Sequence, residues 1–201
     1  LSYKPHIKQN LFNQTNEYMF KFLQLYSNKF IGIQRLIYLQ YIKSIHSSDE
    51  LQLDERGIGL QISNIVFPYS TMKPPNKIKW SETYGIKGLM NTMNPPQKKN
   101  KKLVYSYKKE ILETYGPIFH LDNLKTFSIK IFNILKGFIE NNSEGILFIY
   151  SNYIKSGILP LAFALEELGV ENISGNLLHK KHKTESLDYL FREKKDVSDE
   201  F

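Results

Sequence analysis

Apolar residues along this chain fall into three textures. Before residue 46, Met19, Phe22, Leu23, Tyr26, Phe30, Ile33, Ile37, Tyr41 and Ile45 step by three or four, one wide helical face that predicts one or two packed helices. A stripe of rings at that spacing is core, so it is assigned no ligand. Ser47-Ser48-Asp49-Glu50 reads as a solvated break. From residue 62 to 107 the pattern loosens, because Pro68, Pro74, Pro75, Pro95 and Pro96, with Gly85 and Gly88, interrupt it too often for long elements. From Leu121 it tightens. Leu124, Phe127, Ile131, Leu135, Phe138 and Ile139 mark a helix, and Asn141-Asn142-Ser143-Glu144-Gly145 ends it. The unbroken apolar run at 146–150 is what a parallel strand covered on both faces looks like. Ile158, Leu161, Ala162, Leu165 and Leu168 then recur at helical spacing, with Pro160 in the first turn and Gly169 as C-terminal cap. Residues 170–173 begin a second short strand.

Helix, strand, helix, strand at this spacing predicts an α/β fold, a parallel sheet with right-handed crossovers. The chain divides accordingly into a helical segment at 1–57, an irregular Lys/Pro-rich insertion or linker at 58–118, and the α/β unit at 119–201. The polar tip Ser151-Asn152-Tyr153 falls where strand hands over to helix, the edge at which open α/β sheets bind ligands.

Composition narrows the classes. With 201 residues, 41% of them hydrophobic, the chain can bury a substantial core. No run approaches the ~18 apolar residues of a membrane span and no leader pattern opens the chain, so a soluble, cytoplasmic protein with no membrane partner is expected. Zero cysteines exclude disulfides and thiolate metal sites. The formal charge of +7 favours a polyanion partner modestly, since lysine is frequent together with other residues whose codons are AT-rich. Lys98-Lys99-Asn100-Lys101-Lys102 beside Tyr105 and Tyr107 reads either as a solvated basic loop or as a segment that contacts phosphate and stacks a base. His179 and His182, three apart among lysines, read as a basic face rather than a metal site. Glu166-Glu167 reads as helix-exterior solvation. Ser151 has no His and Asp company, so no hydrolytic triad is supported.

The string at 146–169, ILFIYSNYIKSGILPLAFALEELG, resembles the segment that opens the second RecA-like domain of superfamily 2 helicases, as in helicases and transcription-associated ATPases of large cytoplasmic DNA viruses of the poxvirus and mimivirus type. Two upstream strings agree. LQISNIVFP at 60–68 is similar to the "RQISNIVYP"-like string preceding that domain, and distantly to a string of Swi/Snf-type translocases; YGPIFHLD at 115–122 resembles the helix entering it. The resemblance implies a partial second RecA-like sheet flanked by helices, a DNA or RNA backbone and a first RecA-like domain as partners, and a viral factory or virion as alternative location. It places phosphate contacts at Ser151, Asn152, Tyr153 and Lys155, to which the insertion adds Lys98, Lys99, Lys101 and Lys102; Ser151-Asn152-Tyr153 read equally as the cap of the helix that follows.

Three arginines occur, Arg35, Arg56 and Arg192, none in the family's Q-x-x-G-R-x-x-R context, and neither the G-x-x-x-x-G-K-[ST] loop nor its acidic partner is present. No catalytic or metal-binding residue is therefore assigned. ATP and Mg²⁺ are expected for a parent enzyme, with this chain a piece of a longer helicase or translocase. The alternative is a non-enzymatic nucleic-acid-binding or virion assembly protein retaining a degenerate helicase half-domain.

Overall fold

Ile37 and Tyr41 lie one helical turn apart, and helix α1 (Gly32–His46) puts both on its buried face. The computed structural model describes residues 28–46, 53–72, 78–99, 102–140 and 147–179. The earlier members of the predicted face, from Met19 to Tyr26, lie outside these. Helix α2 (Leu53–Asn64) adds Ile62 to the same cluster, with Val66, Met72 and Ile78. Gln34 joins three elements: its Nε2 donates to Ile62 O at 3.0 Å and Ser63 O at 3.2 Å, while its Oε1 accepts from Ile129 N at 3.1 Å. Such a fully buried amide holds its place because each end is satisfied.

The stretch expected to be an irregular insertion is the middle of the core. After α2 the chain passes through Ile65 and Phe67, both fully buried, and a 3₁₀ turn at Trp80–Glu82 into α3 (Gly85–Thr92). Gly88 admits the close approach this needs, since a Cβ there would lie 2.6 Å from Thr83 C and 2.8 Å from Phe67 Cδ2. An antiparallel hairpin follows, β1 (Gln97–Lys99) and β2 (Lys102–Val104), with Gln97 opposite Val104 and Lys99 opposite Lys102. Tyr105, Tyr107, Ile111 and Ile118 then enter the larger cluster, the third from α4 (Lys109–Tyr115). Prolines and glycines here separate short elements that are packed; their density bounds element length, not burial.

The predicted helix beyond Leu121 exists as two, α5 (Leu121–Phe127) and α6 (Ile129–Glu140). Ser128 breaks it: φ −153°, ψ 92° leaves the helical region, and its hydroxyl donates to Asn64 O at 2.5 Å and accepts from Ile131 N at 3.1 Å. Helix α7 (Leu159–Leu168) carries Pro160 in its first turn. It closes on Gly169 at φ 102°, where Gly169 N–H donates to Glu166 O and Val170 N–H to Leu165 O, the paired bonds of a glycine-terminated helix.

The fold is thus mixed and helix-rich, with one two-stranded antiparallel sheet among the described residues. The expected interior strand at 146–150 is corrected: residues 147–150 are irregular, with no ladder partner among the described residues, and Phe148 is 87% exposed. Of its described residues, Ile149 packs on the core. An apolar run signals burial only where neighbouring strands exist to supply it. Residues 170–173 likewise form no strand: 170–172 are irregular and a turn begins at Ile173, which is fully exposed. The chain returns instead at Leu178, which makes an isolated parallel bridge with Tyr105.

Candidate nucleic-acid interface

Lys155 and the lysine hairpin are about fifty residues apart in sequence, yet the fold brings Lys155 to the face of Tyr105 at the hairpin base. Lys155 Nζ lies 3.4 Å from Tyr105 Oη and 5.9 Å from the centre of its ring. Tyr105 directly follows β2, so Lys155 stands at the foot of the hairpin that carries exposed Lys98 and Lys102. The Lys99 side chain and the whole of Lys101 lie outside the described residues. The returning segment completes this face: Tyr105 N–H donates to Leu177 O and His179 N–H to Tyr105 O, each at 2.7 Å, leaving His179 exposed beside the hairpin base. Side-chain cations held this way attract phosphate without reading sequence.

The tip Ser151-Asn152-Tyr153 divides in role. Asn152 is exposed, and its Oδ1 accepts from the Tyr150 hydroxyl at 2.5 Å, which leaves its amide group outward as a donor. Ser151 serves its own turn instead, its Oγ donating to Tyr153 O and accepting from Tyr153 N–H, both at 3.2 Å. The Tyr153 hydroxyl reaches α2, where it would lie 3.4 Å from a Cβ at Gly57. A π-helical turn at Ile154–Ile158, with Ser156 at φ −111° and ψ 21°, separates this tip from α7. Fully buried Ser156 anchors that turn: its Oγ accepts from Gly85 N–H at 2.7 Å and donates to Gln61 Oε1 at 3.2 Å. Gly157 admits a close approach here, since a Cβ would overlap Ser151 Oγ.

Two further readings are corrected. Tyr105 and Tyr107 do not present stacking faces; they are 4% and 6% exposed and pack in the core, Tyr105 against Phe163 and Tyr107 against Phe119. Their spacing of two already places both on one side of an extended chain. Glu166 and Glu167 are not solvated but buried, at 2% and 1% exposure. They follow buried Phe163 by three and four residues, so helical phase turns them to its face. Burial is met with hydrogen bonds. Glu166 accepts from Leu177 N–H and Leu178 N–H, both at 2.8 Å, and from Asn172 Nδ2 at 3.4 Å. Glu167 accepts from the Tyr107 hydroxyl at 3.2 Å, and that hydroxyl accepts from Phe119 N–H at 3.2 Å. Desolvation first, and the Glu167 charge second, hold the Tyr107 phenol well above its usual range.

Sequence reasoning missed Tyr105 as the junction and Glu166 as the clasp behind it. The basic run that opens at His179 was legible, but not that His179 itself lies beside the hairpin base. Among the described residues no cluster of three His, Asp or Glu side chains could hold a metal ion, and no helix is long and apolar enough to cross a membrane. No family model, curated protein or solved structure matches this chain.

Proposed function

We propose that this chain is part of an ATP-dependent nucleic-acid helicase or translocase, in which it contributes backbone contacts from a partial second RecA-like domain. The observation that carries this reading is the approach of Lys155 to Tyr105 at the foot of the lysine hairpin, which sets a basic residue beside the base of a basic element about fifty positions away. Exposed Asn152 adds a neutral donor on the loop that leads to Lys155. These are the groups that grip phosphate irrespective of base.

The parallel sheet of such a domain belongs to the same proposal. Residues 147–150 run between α6 and α7, in the order a parallel sheet needs, and turn Leu147, Phe148 and Tyr150 outward. Strands from neighbouring polypeptide would cover that apolar surface. A nucleoside triphosphate and Mg²⁺ do not fit the residues here: no phosphate-cradling loop occurs in the sequence, and Arg35, the arginine whose side chain is described, lies exposed on α1. ATP chemistry is accordingly assigned to a first RecA-like domain as partner, and this chain's share is grip.

Binding of single-stranded oligonucleotides tests the reading. Asn152→Ala with Lys155→Ala should weaken all sequences alike; a double variant that keeps its fold and binds like the parent at low salt refutes the assignment of this loop.

A further inference from the structure

A groove of about 470 Å³ opens at the base of the hairpin, lined by Asn94, Ser106, Tyr107, Lys109, Leu112 and His179, with the Glu110 carboxylate also on its wall. Its volume lies in the range of small-ligand sites, about 300–1,000 Å³. Asn94 stands just before β1 and Ser106 just after β2, so the two ends of the hairpin form one wall. The Asn94 amide nitrogen donates to Ser106 Oγ at 3.1 Å and to Tyr107 O at 2.9 Å, which fixes the amide and leaves its carbonyl oxygen and the Ser106 proton as the wall's acceptor and donor. His179 forms the opposite side, held there by its backbone bond to Tyr105. Two basic elements stand at this groove: the lysine hairpin, whose ends Asn94 and Ser106 flank, and Lys109 on its wall.

We propose that the groove lodges one nucleoside unit of a single strand, its base against Asn94 and Ser106 over Leu112, its flanking phosphates toward Lys109 and the hairpin lysines. This rests on the nucleic-acid reading above and adds to it a base-dependent component that backbone grip does not supply. An adjacent donor and acceptor suit the amide-like edge of a base. Glu110 disfavours a phosphate deep in the groove and accepts from an exocyclic amino group. Lys109 and the adjoining hairpin favour the strand over a free nucleoside, which lacks the phosphates they would hold.

The test compares two probes of equal length and charge, a base-bearing single-stranded oligonucleotide and its fully abasic counterpart, by fluorescence anisotropy at one salt concentration. The full chain should bind the base-bearing probe about tenfold tighter, the factor that ~1.4 kcal/mol supplies. Ser106→Phe, which fills the groove, and His179→Ala, at an exposed position that keeps the fold, should each reduce that ratio toward one while salt-dependent binding persists. Equal binding of both probes by the unmodified chain, or variants that are folded and retain the full ratio, overturns the groove assignment and leaves backbone grip standing. Failure of the unmodified chain to bind either probe overturns both.

Discussion

Glu166→Ala removes the carboxylate that accepts Leu177 N–H and Leu178 N–H at 2.8 Å each. Leu178 is buried, so its N–H loses its acceptor in a place water does not reach, whereas Leu177 is half-buried and recovers part of its loss. An unsatisfied buried donor costs about 1–3 kcal/mol, so the two together should destabilise the fold by about 2–4 kcal/mol after relief of the carboxylate's own desolvation. For a chain of this size that corresponds to a melting temperature lowered by roughly 5–15 °C. Glu166→Gln keeps one acceptor oxygen and should lose about half as much. Denaturant unfolding gives the magnitude, and amide exchange locates it: Leu178 and His179 should lose protection before the core helices do, because the bridge to Tyr105 is what the clasp holds. An alanine variant within about 0.5 kcal/mol of the parent, the usual scatter of surface substitutions, would refute the clasp.

Gly157→Ala should destabilise by about 1–3 kcal/mol in denaturant unfolding through overlap with Ser151 Oγ, and Ser151→Gly in the same chain should restore most of it. Phe148→Asp should leave the melting temperature of this chain nearly unchanged, since the ring is exposed; a loss of several kcal/mol would show that residues 147–150 are buried after all. Because the Tyr107 phenol is raised above its unfolded value by burial and by Glu167, its contribution to stability is complete below about pH 10 and is lost as pH rises from there toward the folded value. Tyr107→Phe should flatten the alkaline limb of a stability profile; an unchanged limb contradicts that cause.

Sequence made the helical parts of this fold legible. The face of α1, the cap at Gly169 and the place of Pro160 follow from local periodicity and backbone sterics, and the structure has them as read. Where partners decide, local reading went astray. The run at 146–150 has the composition of a buried strand, but composition does not say whether neighbouring strands are present. Glu166 and Glu167 look like solvent residues until helical phase is followed from Phe163, and the donors that make their burial tolerable are, for Glu166, N–H groups up to twelve positions away and, for Glu167, the Tyr107 hydroxyl sixty positions away. The same holds for the candidate site. Lysines and the polar tip were visible individually; the contact of Lys155 with Tyr105 joins residues fifty positions apart and has no local signature.

The salt dependence of single-strand binding tests the central claim most directly. If Lys98, Lys99, Lys101, Lys102 and Lys155 each neutralise one phosphate, log K should fall against log salt with a slope of about −3.5, and replacing the four hairpin lysines by Gln should bring it to about −0.7. Lys155→Ala alone should remove about 0.7 of the slope and weaken every sequence equally. Slopes near these values support a phosphate grip built from Lys155 and the hairpin. Binding that is absent, or whose slope is unchanged when the hairpin lysines are neutralised in a folded chain, would contradict it.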